Sequence, residues 1–136
     1  MSWRNTASAE AQDALDTLLS TSIDLAMQNL QKSDSFIPFA VTVNAGQEHS
    51  LLSGAGEDAN QTIATLEREL TAQKDELAAC AIAYDTHVAA LGSDAIEVRL
   101  QHREGAAMTV QAPYSKRGST VEIGDLIAQS ATRTIW

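Results

Sequence analysis

The sequence is poor in the residues that staple, stiffen or decorate a fold. Cys80 is its single cysteine, so no disulfide can close within the chain. That usage fits a reducing compartment, and the expected location is cytoplasmic. Pro38 and Pro113 are the only prolines, which excludes a Pro-rich linker. Aromatic residues make up only 4% of the chain. The core must therefore be built from Leu, Ile, Val and Ala, with Met27 and Met108 as gap-fillers. Positive charge is scarce: nine bases face 18 acids, for a net charge of −9. Such a chain is ill-suited to neutralising phosphates, which argues against nucleic acid and anionic membrane surfaces as partners. No apolar run approaches the length of a membrane-spanning helix. Met1–Glu10 lacks the basic-then-apolar pattern of a signal peptide, so none is expected.

What is present suffices for one core. Hydrophobic residues make up 44% of 136 residues, the composition and length of a single domain spanning 1–136. Size scaling predicts a folded surface of roughly 7,000 Å². The acidity is uneven. Residues 1–70 carry ten acids and three bases; residues 71–136 carry eight and six. A basic partner would be drawn to the first half, although a solvated acidic face serves solubility equally well.

Hydrophobic spacing predicts a helix over 8–31. Leu15, Leu18, Leu19, Ile23, Ala26 and Leu30 repeat at helical intervals behind a Ser8 N-cap. Residues 36–43 read as a strand with Pro38 at its start or edge, 44–47 as a turn, and 48–53 as the returning strand of a hairpin. Gly54-Ala55-Gly56 reads as a connector. Asp58 and Gln61 resemble a capping box that opens a second helix over about 58–77. A three-stranded meander follows, over 78–88, 96–102 and 108–112. Its middle strand alternates most clearly: Ile96, Val98 and Leu100 against Glu97, Arg99 and Gln101. Pro113 is expected to end the last strand, 115–119 to form a basic loop, and Val121–Ile123 a short strand. The predicted class is thus α+β: an antiparallel sheet of about five strands with two main helices, in the order α-β-β-α-β-β-β, plus a C-terminal extension.

Candidate chemistry is sparse. Asp85 and His87 share one face of a predicted strand, and His102 lies on the next. If the meander's pairing brought them together they would supply three metal ligands, though no HExxH or CxxC spacing fixes that geometry. Cys80 sits between alanines, where an apolar setting makes a thiol inert. Glycines precede the second helix, but the next residues, Glu57 and Asp58, would repel a phosphate. Arg99, Arg103, Tyr114, Lys116 and Arg117 could form a local basic patch that receives a carboxylate or an acidic surface; cross-strand pairing on a solvated face explains them equally. Trp3 and Trp136 are either docked on the core or exposed as contact anchors. No cofactor motif is present.

The stretches Phe36-Ile37-Pro38-Phe39-Ala40-Val41, Asp94 to Gly105, Thr109 to Tyr114 and Ile123 to Gln129 resemble a group of small, uncharacterised bacterial α+β proteins, over most of residues 36–136. The resemblance implies a bacterial origin and an α+β fold, and carries no activity with it. The element order is also similar to roadblock, longin and profilin-like domains at the level of fold alone. The expected function is a non-enzymatic protein–protein interaction module, oligomeric, with an immunity-like role against a basic partner as one version. The alternatives are a small metal-binding protein or enzyme using Asp85, His87 and His102, and a small-ligand sensor with a pocket between helix and sheet.

Overall fold

The computed structural model describes residues 8–54 and 58–136. Trp3 and the connector residues Ala55 and Gly56 lie outside the described residues. Helix α1 spans Ala9–Lys32; the Ser8 hydroxyl caps it by accepting the Ala11 N–H at 3.1 Å. Strands β1 (Phe39–Asn44) and β2 (His49–Ser53) form the expected hairpin. Helix α2 spans Ala59–Ala72 behind an Asp58 cap that accepts the Gln61 N–H at 2.8 Å. Five strands follow: β3 (Leu77–Val88), β4 (Ser93–His102), β5 (Ala107–Arg117), β6 (Thr120–Ile123) and β7 (Ile127–Ser130).

All pairings are antiparallel. The spatial order is β2-β1-β3-β4-β5-β6, with β7 also on the outer edge of β5. The expected class is therefore found, but the sheet is larger than five strands: it has seven among the described residues. The two extra strands, β6 and β7, extend the expected order to α-β-β-α-β-β-β-β-β, and both fit on one edge because β5 is 11 residues long while each of them has only four. β6 pairs with residues 114–117, which leaves the edge of 108–111 to β7.

The helices cover opposite faces. On β3, Ala79, Ala81 and Ala83 pack under α1, in one core with Leu15, Leu18 and Leu30. The alternate residues Cys80, Ile82 and Tyr84 pack under α2, with Ile63, Leu66 and Leu70. Period-two alternation on a strand buried on both faces produces this near-continuous apolar run. The alanines on the α1 side leave room for that helix to lie close. The accessible surface is 7407 Å², close to the roughly 7,000 Å² expected from size scaling.

Several boundaries differ from the sequence reading, three of them for clear local reasons. β1 starts at Phe39 rather than 36, because Pro38 has no N–H: its carbonyl accepts the Gly54 N–H at 3.1 Å, but the return bond of that pair cannot form. α2 stops at Ala72, and Leu77 opens β3. Leu77 lies seven residues beyond Leu70, a spacing that also fits a helix face, so periodicity alone could not separate the two. Pro113 does not end its strand. Its carbonyl accepts the Gly124 N–H at 2.7 Å on the outer edge. A residue's N–H and C=O point to the same side of a strand, so the missing donor of Pro113 falls in the gap between β6 and β7. Residues 115–117 accordingly continue β5, and Gly118 turns the chain at φ 62°.

Beyond β7 the tail returns to the α2 side. The Gln101 amide is buried: its Oε1 accepts the Thr134 and Ile135 N–H groups at 2.9 and 3.0 Å, and its Nε2 donates to the Thr134 hydroxyl at 2.9 Å. Ile135 is thereby set into the α2-side core, and the Trp136 indole N–H donates to the Lys74 carbonyl at 3.2 Å. Trp136 thus takes the docked arrangement.

Candidate functional site

The residues singled out from sequence do not gather in one place. β3 and β4 are joined tightly at 89–92, so His87 pairs with Asp94 while His102 pairs with Ala79. Eight residues of β3 separate the two positions, about 26 Å at strand rise. Asp85 and His87 therefore cannot share an ion with His102. Among the described residues no group of three His, Cys, Asp or Glu side chains is placed to hold a metal.

Each of these groups has a local partner instead. Asp85 accepts the Tyr114 hydroxyl at 2.7 Å, reaching across β4. Burial raises the Asp85 pKa, only partly opposed by that bond, and burial likewise raises that of the Tyr114 phenol. His87 Nδ1 lies 3.0 Å from Asp94 Oδ1, but both side chains are about 60% exposed. Such a pair contributes little to stability.

His102 is almost wholly buried in side chain, and its Nδ1 accepts the Glu104 N–H at 3.0 Å in the β4–β5 turn. Burial lowers its pKa, with nearby Glu104 pulling the other way. The folded value lies below the unfolded 6.5. The unfolded chain therefore binds the proton first, and stability present above 6.5 is lost as pH falls through the folded value. His102→Gln is expected to flatten the loss of stability below pH 6.5, measured by urea unfolding across that range; an unchanged slope would contradict the assignment.

The basic residues are equally dispersed. Arg99 lies on the α2 side, 5.0 Å above the Tyr84 ring and 3.4 Å from Glu67. Lys116 is spent on the end of α1, donating to the Ser33 carbonyl at 2.7 Å and lying 3.4 Å from Asp34. Arg103 stands at the β4–β5 turn and Arg117 at the β5–β6 turn, opposite ends of β5. The five residues form no single patch. Cys80 is buried, and burial pushes its thiol up to about 12. It is expected to resist a thiol reagent at pH 8 in the folded protein and to react at once in guanidinium; rapid labelling of the native chain would show the site to be open.

A different feature stands out, at the β2 edge of the sheet. β2 pairs with β1 on one side and, among the described residues, with no strand on the other. The Asn44 N–H donates to the Glu48 carbonyl, and the Gly54 N–H to the Pro38 carbonyl. Residues 48 and 54 thus point inward, and by alternation so do Ser50 and Leu52. The N–H and C=O groups of His49, Leu51 and Ser53 point outward. β2 contains no Lys, Glu or Pro, the residues that usually blunt an edge. Beside it, Leu51 is 53% exposed and Ile37 59%. Both line a groove of about 550 Å³ with Leu25, Phe36 and Phe39 on the α1 side, and Lys32 stands at its end. A second depression of about 470 Å³ lies at the His49 end of β2, walled by Glu10, Asp13 and Gln47. A further depression, about 730 Å³, is lined among the described residues by α2 alone and gathers no converging groups from a second element.

Sequence reasoning missed this site because an edge is a property of strand order. The absence of charge in β2 was the one visible signal. Comparison of the chain with family models, with curated proteins and with solved structures finds no match. No helix is long and apolar enough to cross a membrane among the described residues.

Proposed function

We propose that this chain is a non-enzymatic protein-interaction module of the bacterial cytoplasm, and that it binds by strand addition at β2. The observation that carries the reading is the conjunction at that edge. Outward backbone groups at His49, Leu51 and Ser53 are unblunted by charge and lie beside exposed Leu51 and Ile37. In strand addition, main-chain hydrogen bonds supply affinity while neighbouring pockets select side chains. The Leu25–Phe36–Phe39 groove would receive an apolar side chain from the added strand.

A photo-crosslinking amino acid tests the reading. Placed at position 51, it is expected to give discrete adducts in cells that produce the protein. Placed at Thr71, exposed on the outer face of α2, it is expected to give only background. The same adducts from both positions, or none from 51, would overturn the proposal.

A further inference from the structure

We infer that the strand added at β2 is β2 of a second copy, paired antiparallel about a two-fold axis at Leu51. The inference rests on the strand-addition reading and names its partner. The outward residues are His49, Leu51 and Ser53, a set symmetric about Leu51. A two-fold axis there makes Leu51 and its copy a hydrogen-bonded pair, each donating its N–H to the other's carbonyl. The same axis sets His49 of each copy opposite Ser53 of the other, again as hydrogen-bonded pairs. Every outward group of the strand is then satisfied. A shift of one residue would bring inward-facing Ser50 or Leu52 into the outward set and lose those bonds.

The placement of charge beside β2 permits this partner and favours this direction. A net charge of −9 makes two copies repel, so a self-interface must keep its acids apart. β2 itself carries none. Glu48 of each copy falls opposite Gly54 of the other, so the two Glu48 residues stand at opposite ends of the junction. The groove beside β2 has Lys32 at its Ser53 end, and Glu10 and Asp13 line the depression at the His49 end. Antiparallel pairing places the Lys32 end of one copy toward the Glu10–Asp13 end of the other; parallel pairing would align like with like. On both sides exposed Leu51 and Ile37 leave water. The interface is small, so the dimer is weak, with a Kd of about 10–100 μM. The two sheets become one continuous sheet and β2 ceases to be an edge.

Single cysteines test the register. Native Cys80 is buried, so a disulfide dimer reports the introduced thiol. In the inferred pair the two position-51 Cα atoms are about 5.5 Å apart, within disulfide reach. The two position-49 Cα atoms are about 14 Å apart, well beyond it. Leu51→Cys is expected to oxidise to dimer at least tenfold faster than His49→Cys. Sedimentation equilibrium should show concentration-dependent dimer for the wild type and at least tenfold weaker dimer for Leu51→Lys, whose circular dichroism stays native. Equal oxidation at 49 and 51, or a wild type that stays monomeric at 500 μM, would overturn the second-copy assignment. If position 51 nevertheless crosslinks to another protein in cells, the strand-addition reading survives; with no adducts there, both fall.

Discussion

Gly54→Ala is expected to lower the melting temperature by about 10 °C, corresponding to about 3 kcal/mol for a domain of this size. Gly54 ends the β1–β2 hairpin. Its N–H donates to the Pro38 carbonyl, which pins the last residue of β2 to the entry of β1. A Cβ at this position would collide with the Pro38 carbonyl oxygen itself and with Thr62 Cγ2 of α2. One of these obstacles is backbone, so no rotamer change relieves it, and the hairpin must move away from α2. The requirement is one of space: the φ of Gly54 is not in the left-handed region. Thermal unfolding of the variant checks the expectation, and a melting temperature within 2 °C of the wild type would refute it. Because Gly54 fixes the end of β2, the variant should also weaken association at that edge.

Gln101→Ala is expected to destabilise the protein by about 2–4 kcal/mol and to release the C-terminal tail. The Gln101 amide is the only side chain among the described residues that accepts from two backbone N–H groups of the tail. Its removal leaves the Thr134 and Ile135 donors without their partner beside a core, where each unmet donor costs about 1–3 kcal/mol. Ile135, 2% exposed, would then lose its seat with Leu70 and Ile82. Trp136 fluorescence, read in a Trp3→Phe background, provides a local reading. The variant should shift it toward the solvent-exposed wavelength at temperatures where the sheet is still folded. Loss of tail and sheet in one transition, at the wild-type temperature, would contradict the expectation.

Much of the frame was legible in the residues. Ser8 and the Leu15–Leu18–Leu30 spacing located α1 to within a residue, and the Ile96–Val98–Leu100 alternation located β4. Local signals sufficed because each element carries its own cap and its own period. The remainder depends on distant partners. Pro113 reads as a strand end until the gap between β6 and β7 is known to absorb its missing donor. β7 has four residues and no strong pattern, and exists because β5 outlasts β6. Gln101 looks like one more polar residue of a half-buried strand, yet it is 5% exposed because the tail folds back over it. The candidate ligands Asp85, His87 and His102 illustrate the same limit. The meander was foreseen, but the tight β3–β4 connection sets a register that sends His102 to the far end. The β2 edge required the strand order before its lack of charge acquired a meaning.

Backbone amide exchange along β2, followed by NMR, tests the central claim most directly. In dilute protein the outward His49, Leu51 and Ser53 amides should exchange fast, while inward Ser50 and Leu52 are protected by β1. As protein concentration rises through the association range, the three outward amides should become protected at the same midpoint as the mass change. Outward amides that stay fast while the protein associates would place the interface elsewhere and contradict the account.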